Sequence, residues 1–337
     1  MTQSLRLVTH GGSFHCDDVM GFVILRHALG LDQRTDWSLV RTRDPQTIAD
    51  ADIVWDVGAS ADAGAGRCDH HMAGAPARPC GTPYSSAGLL WLVHGRRAAT
   101  AVLGRDVNTS IVERVWLSLD RDLIRLIDMA DNGCRPEIGY ADPAELAAAD
   151  GMALPMIVDG FNPPWDAIVG LSPAERDEIQ DQCFRAAAML VSQVLVNRIH
   201  GLRAGFAADD AVIAAYGRSA DNRVLELDAA MPWQDAVHRA GLPTLLAVYP
   251  AGDTWMVNCM PPRPGSFEQK LPLPASWAGL RDAGLARESG VPDAVFCHKG
   301  RFIAGAGSRD GALRLARLAL MPGSSRPAHS AANEAGG

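Results

Sequence analysis

The sequence predicts an α/β protein built on a mostly parallel sheet with helices on its faces. Three observations carry that expectation. Short apolar runs bounded by glycine alternate with segments whose apolar residues recur every three or four positions. Histidines and aspartates crowd the loops leaving the early strands, where open parallel sheets keep their sites. The length, 337 residues, is about twice that of a common 150-residue unit, so two domains are expected.

Leu5 to Thr9 reads as the first strand and leads into the glycine-containing loop GGSFHCDD. Val19 to Leu29 carries a helical pattern that ends at Gly30. Ser38 to Arg41 is the second strand. Pro45 suits the first turn of a short helix within residues 44–51, because its missing N–H is not needed there. Asp52 to Val57, DIVWDV, is a compact strand closed by Gly58. Helical spacing returns from Ser85 to Gly95. The longest helix of this half is expected from Ser110 to Ala130, where Val112, Val115, Trp116, Leu119, Leu123, Leu126 and Ile127 recur at spacings of three or four, with Asn132-Gly133 as its stop.

The stretch through GYADPAEL and VDGFNPPW reads as loop, an insertion or a substrate cover. Ser172, Pro173 and Glu175 then mark a capped helix start, and a long connector helix follows over residues 172–200. Val224 to Leu227, Thr244 to Tyr249 and Thr254 to Cys259 read as strands, the last two joined by a turn at Ala251-Gly252-Asp253. Residues 308–320 form a final helix capped by Ser308 or Asp310. The tail from Pro322 is small and polar and is expected to be disordered.

The chain is 47% hydrophobic and 21% charged, a composition that excludes a disordered or purely coiled-coil protein. Its 31 basic residues face 39 acidic ones, a formal charge of -8. A bulk electrostatic grip on nucleic acid is therefore disfavoured, although a local basic groove is not. Seven cysteines without a C-x-x-C pair argue against a disulfide scaffold and a zinc knuckle. No apolar run reaches membrane-spanning length and no signal peptide is apparent, so a protein of a reducing compartment without membrane partners is expected.

The chemistry is concentrated early. His10 ends the first strand, His15 and Asp17 lie in the loop leaving it, Asp56 ends another strand, and Asp69-His70-His71 follows about a dozen residues later. Asp131 stands just past the long helix. Imidazoles with carboxylates and no thiolate cluster suit Mn, Fe, Co, Zn or Mg. Six such groups exceed the needs of one structural ion and match a two-metal hydrolytic centre, in which Asp56 would bridge the ions. Taken singly, each has a plain structural role open to it: His10 as a core or capping histidine, Asp56 and Asp131 as turn caps. Adjacent histidines after an aspartate are less ordinary. Cys16 and Cys68 lie beside these ligands and are read as packing residues.

Weaker signals lie elsewhere. Arg41, Arg43 and Asp44 could hold phosphate or close the loop as an internal salt bridge. GGSFHCDD lacks the Gly-Lys-Ser/Thr ending of a P-loop, and no GxGxxG follows the first strand. His298, Lys299 and Arg301 before FIAGAGS could hold a phosphodiester or only make a tight strand-to-helix connection.

VTHGGSFHCDDV, VRTRDP, DIVWDVG, RCDHH, YSSAGLLW and DMADNG resemble, in order, successive blocks of the MYG1 family, formerly a "metal-dependent protein hydrolase" group. SFEQKLPLPASWAGLRD, SGVPDAVFCHKGRFIAG and DGALRLARLAL resemble its carboxyl half, so the likeness spans residues 5–320. That family is related to the DHH phosphoesterases, named for the triplet seen here as Asp69-His70-His71.

The resemblance implies a DHH-phosphoesterase-like domain with a mostly parallel sheet and a smaller C-terminal α/β domain. The metal-binding catalytic domain with its connector helix would cover residues 1–200 and the substrate-binding domain 201–320, with 321–337 a disordered tail. It implies two divalent ions, Mn2+ first, with Mg2+, Co2+, Fe2+ or Zn2+ as alternatives. His10, His15, Asp17, Asp56, His70 and Asp131 would be their ligands. His71 would face substrate and assist proton transfer, making His71 and Asp56 the catalytic residues, while Asp69 would orient a histidine from behind. The wider superfamily has an aspartate where His15 stands and a loop one residue shorter, which leaves metal preference and the division of ligands open. Arg43, Arg263, His298 and Arg301 are the expected phosphate contacts.

Eukaryotic members are described as 3'-5' RNA exonucleases. The expected function is thus a divalent-metal-dependent phosphodiesterase, a 3'-5' exonuclease on RNA or short single strands, working through a water activated by two metals in the cytoplasm. Two alternatives stay open: a hydrolase of small phosphorylated molecules such as a dinucleotide or pyrophosphate, and an inactive metal-stabilised binding protein. A closed pocket would favour the first; an intact ligand set counts against the second. H-E-x-x-H is absent, so nothing supports proteolysis. A homodimer also stays open.

Overall fold

Four short strands, β1 (Leu5–Thr9), β2 (Trp37–Arg41), β3 (Ile53–Trp55) and β4 (Arg67–Cys68), pair in the order β2-β1-β3-β4, each pair parallel. They belong to a computed structural model that describes residues 4–134 and 153–321. The chain divides into two units, Met1–Arg203 and Ala204–Gly337. Parallel pairing requires crossovers; α1 (Cys16–Leu29) supplies the first and α2 (Pro45–Ala49) the second. In register, Leu7 pairs with Leu39 on one side and Ile53 on the other, so β1 is an inner strand that β2 and β3 flank.

The helices of the first unit start and stop where the sequence supplies caps. Gly30 ends α1 at φ 63°, a left-handed conformation open to glycine at no steric cost. Asp44 accepts the Thr47 N–H at 2.8 Å to start α2. α3 (Ser86–Leu103) lies close against α1, because a Cβ on Gly21 would stand 2.9 Å from both Leu90 and the Trp55 ring. α4 (Thr109–Leu119) runs into a π turn (Asp120–Ile124) and then α5 (Arg125–Asp131). α6 (Leu154–Asp159) and α7 (Trp165–Ile168) are short. α8 (Pro173–Arg218) has 46 residues and runs through the unit boundary. At its start, the Ser172 N–H and hydroxyl both donate to Glu175, at 2.8 and 2.6 Å.

The second unit holds β5 (Val224–Glu226), β6 (Leu246–Ala251), β7 (Thr254–Cys259), β8 (Ala294–Cys297) and β9 (Ile303–Ala306), in the order β5-β6-β7-β9-β8. Only β5 with β6 is parallel; β6-β7, β7-β9 and β9-β8 are antiparallel. α9 (Trp233–Arg239), α10 (Asp282–Ser289) and α11 (Arg309–Ala319) accompany the sheet. Ser308 caps α11 by accepting the Gly311 N–H at 3.0 Å. Leu246, Val257, Leu285, Leu315 and Trp277 form the main core there.

The expected fold class, a DHH-phosphoesterase-like domain with a mostly parallel sheet and a smaller α/β domain, is overturned. Helix takes 50% of the structure and strand 14%. Each sheet is modest, and the second is mainly antiparallel. Alternation in a sequence reports the order of elements, not their lengths. Here the strands have two to six residues, while three of the helices run to 14, 18 and 46 residues.

Smaller corrections follow the same logic. The single helix expected over Ser110 to Ala130 is interrupted by the π turn. The loop read in VDGFNPPW begins inside α6 and ends at the start of α7. GYADPAEL and the tail from Pro322 lie outside the described residues. No described helix is long and apolar enough to cross a membrane.

Candidate metal centre

β1 ends at Thr9, and the next six residues form the loop that turns the chain into α1. Gly12 takes φ 94°, and a Cβ on Gly11 would meet the Arg41 carbonyl at 3.2 Å, so the two glycines serve a tight, close-packed turn. Two side chains clamp it. Arg41 donates from Nη2 to the Gly12 carbonyl at 2.6 Å. Asn162 accepts the Phe14 N–H at 3.0 Å and donates to the Phe14 carbonyl at 2.9 Å. The loop thereby presents His10 and His15, with Asp17 and Asp18 in the first turn of α1, where negative charge meets free N–H groups.

Asp56 follows β3 in a left-handed conformation, φ 57°, that costs a non-glycine residue energy. Its Oδ2 lies 3.2 Å from His10 Nε2. Oδ1 lies 3.3 Å from His70 Nε2, 3.5 Å from His71 Nδ1 and 3.3 Å from the Ser86 hydroxyl, which donates to it. His70 Nε2 also reaches Asp131 at 3.2 Å and Asp17 at 3.8 Å. Asp69 is buried behind them: Oδ1 accepts the N–H groups of His70 and His71 at 2.7 and 3.2 Å and stands 2.8 Å from His71 Nδ1.

Three groups of potential ligand atoms result, each within 4.8 Å: His10, His15 and Asp56; Asp56, His70 and His71; and His15, Asp17 and Asp131. Every ligand expected from the sequence falls in one of them, and His71 joins them. The expected phosphate contacts belong to none of these groups. Arg43 is exposed on the loop after β2. In the second unit, Arg263 is exposed after β7, while His298 and Arg301 share a turn in which the Arg301 N–H donates to the His298 carbonyl at 2.8 Å. Arg301 also reaches the Leu273 carbonyl at 3.3 Å.

The electrostatics split the carboxylates into two kinds. Burial, then the charges of Asp56, Asp131 and Asp18, push the Asp17 carboxyl well above its usual range. Burial likewise lifts Asp18. For Asp56, burial acts upward but the hydrogen bonds from His10 and His70 prevail and hold it well below the usual range. Burial opposes charge on His10, yet hydrogen bonds to Asp18 and Asp56 outweigh it and raise the imidazole to about 10. His70 is raised in the same way, against burial, by Asp56 and then by the charge of Asp131.

This donor set fits a divalent cation. Both oxygens of Asp17 are buried without a hydrogen-bond donor, an arrangement that costs free energy unless a positive charge lies beside them. Three carboxylates and four imidazoles, without a thiolate cluster, are ligands that suit Mn, Fe, Zn or Mg.

Several contributors lie outside the expected ligand set. Asp18 takes the His10 Nε2 contact at 2.8 Å, Asn162 arrives from a distant segment, and Arg41 rather than Arg43 is the buried cation beside the loop. Asp18 stands beside Asp17 in the block VTHGGSFHCDDV, and both carboxylates are buried. A separate cleft of about 950 Å³ in the second unit is lined by residues such as Arg218, Glu226, Arg309 and Arg314 and holds none of the expected site residues.

Comparison with known proteins gives a concordant set of relatives. The model of the family described as "Uncharacterised protein family (UPF0160)", MYG1_exonuc, matches residues 6–320. The "MYG1 exonuclease" of Homo sapiens is 32% identical over 96% of this chain and 87% of that protein. The "MYG1 protein C694.04c" of Schizosaccharomyces pombe is 31% identical over 95% of this chain and 98% of its own. Among solved structures, RecJ in complex with Mn2+ from Thermus thermophilus aligns with 96% of this chain and about half, 54%, of that one, at 16% identity and a TM-score of 0.25. So low a score carries no argument about fold.

Proposed function

The chain belongs to the MYG1 family, and from that premise we propose that it is a divalent-metal-dependent phosphodiesterase, a 3'-5' exonuclease acting on RNA or short single strands. Family membership and the ligand clusters support a metal-dependent hydrolytic function; the substrate and direction of cleavage are the further step. One observation carries the reading. Asp56 belongs to two ligand groups at once, through His10 on one oxygen and His70 on the other.

In this reading His10, His15, Asp17, Asp56, His70 and Asp131 would hold two divalent ions, taken as Mn2+. Such ions supply Lewis-acid polarisation of a phosphoryl oxygen and a lowered pKa for attacking water. The protein's own groups do the rest. Asp69, 2.8 Å from His71 Nδ1, fixes the ring so that Nδ1 carries the proton and Nε2 is the basic atom. His71 is 61% exposed, so Nε2 is available to take or give a proton at a phosphate oxygen. Arg43, Arg263, His298 and Arg301 are the proposed phosphate contacts, the last three from a substrate-binding domain over 201–320.

The test is a manganese-supplemented assay of 5'-labelled short RNA, short DNA, a dinucleotide and pyrophosphate, with Asp56→Ala as control. Stepwise shortening of RNA from its 3' end is expected, with at least one ion and nearly all turnover lost in the variant. Full activity of Asp56→Ala would sink the two-metal reading. Cleavage confined to the small compounds would move the substrate to a small phosphorylated molecule.

A further inference from the structure

Behind the ligand groups lies a second, fully protein-made charge cluster that the proposed chemistry does not use. Its centre is Arg78, which is buried on the loop that leaves Asp69-His70-His71. Nε donates to Asp128 Oδ2 at 2.7 Å and Nη2 lies 2.7 Å from the same oxygen. Nη1 donates to Asp120 at 2.6 Å. The other oxygen of Asp128 accepts the N–H and the hydroxyl of Ser85 at 3.0 and 2.7 Å. The guanidinium also lies over the Tyr84 ring, 4.6 Å from its centre.

Two features show that the backbone is adapted to this cluster. Asp128 fits only because residue 88 is glycine: a Cβ there would stand 2.4 and 2.6 Å from the two carboxylate oxygens. The π turn over Asp120–Ile124 supplies the second. Eight residues of regular helix turn by about 800°, which would leave Asp128 about 80° round from Asp120. One extra residue, as in a π turn, removes about 100° and brings the pair to within about 20°. A single guanidinium fork can then span both carboxylates.

The position of Asp128 gives the cluster its consequence. It lies one helical turn before Asp131 on α5, while its partner Ser85 precedes Ser86, whose hydroxyl donates to Asp56. We infer that Arg78 is a positioning residue for the metal centre: through Asp128 it fixes Asp131 relative to the loop bearing His70 and His71. This rests on the proposed metal-dependent reading. Lysine could not replace the fork, since a point charge on a flexible stem does not bind two carboxylates in fixed geometry.

The experiment measures Mn2+ binding by calorimetry and turnover of a short RNA for wild type, Arg78→Lys and Arg78→Ala. Metal-free melting curves and near-UV circular dichroism run beside them. Both variants are expected to keep a cooperative fold, and to lose about 10- to 100-fold in Mn2+ affinity or turnover. Added guanidinium ion should restore Arg78→Ala towards wild type and leave wild type unchanged. Unaltered Mn2+ affinity and turnover in both variants would overturn the inference. So would losses that only track melting temperature and do not respond to guanidinium. If Arg78→Ala fails to fold, a folded Arg78→Lys with wild-type Mn2+ affinity and turnover overturns it equally. Wild type that binds no divalent ion would instead overturn the metal reading itself, whatever the variants do.

Discussion

Asp17 shows at the scale of one residue how stability and function oppose each other. Its folded carboxyl is raised, by burial first and then by neighbouring carboxylates, so the native state binds its proton more tightly than the unfolded chain does. Stability of metal-free protein therefore falls as pH rises from the ordinary carboxylate range through the folded value. Asp17→Asn removes that penalty. In chelator, the variant is expected to melt about 2–4 °C higher at neutral pH, roughly 1 kcal/mol for a unit of this size, and to lose the gain as pH falls. Added Mn2+ should raise the melting temperature of wild type and do much less for the variant. Thermal melts across pH, with and without Mn2+, check both halves; a lower metal-free melting point for Asp17→Asn would contradict the account. The residues of the three candidate ligand groups stood out in the sequence because histidines and aspartates clustered near strand ends and within blocks that resemble the family's. Arg78, Asp128 and Asn162 were not, because their partners lie 50, 43 and 148 positions away and only folding brings them together.

Among the elements, the contact between α1 and α3 decides where the ligand loop sits. Gly21 lies in the middle of α1, where glycine costs about 1 kcal/mol relative to alanine. It is used because a Cβ would stand 2.9 Å from Leu90 and from the Trp55 ring. Leu90 can swing aside; the buried indole, whose Nε1 donates to the Asp18 carbonyl at 2.9 Å, cannot move without disturbing the turn that bears Asp17 and Asp18. Gly21→Ala is thus expected to destabilise by about 1–3 kcal/mol despite its better helix propensity, read as a lower denaturation midpoint with unchanged slope. A more stable variant would show that the helices can part at no cost. The sequence marked one end of several helices, as with Gly30 closing α1, Pro45 opening α2, and Ser172 and Ser308 opening α8 and α11. It concealed the π turn, because the apolar spacing from Val112 to Ile127 reads as helical with or without one extra residue.

For the whole molecule, the charge balance sets how any nucleic acid would be gripped. Lys270 and Lys299 are the only lysines among 31 basic residues; all other cations are arginines, and many are committed to local forks. Arg34 with Asp36, Arg96 with Glu113, Arg223 with Asp221 and Arg309 with Glu226 are such pairs. This is why a count of arginines overstates the free positive surface, as an alternation of elements overstated the sheet. If two phosphates of a single strand are held, at a slope of about 0.7 per phosphate, affinity should fall only about sevenfold between 50 and 200 mM salt. Fluorescence anisotropy with a labelled phosphorothioate strand in Mn2+ measures this directly. A fall of a hundredfold or more would mean that about five or more phosphates are gripped and that a basic groove exists despite the net charge. A shallow slope, with binding that chelator abolishes, would place the grip at the ligand clusters themselves, where the ions rather than arginines meet the phosphate.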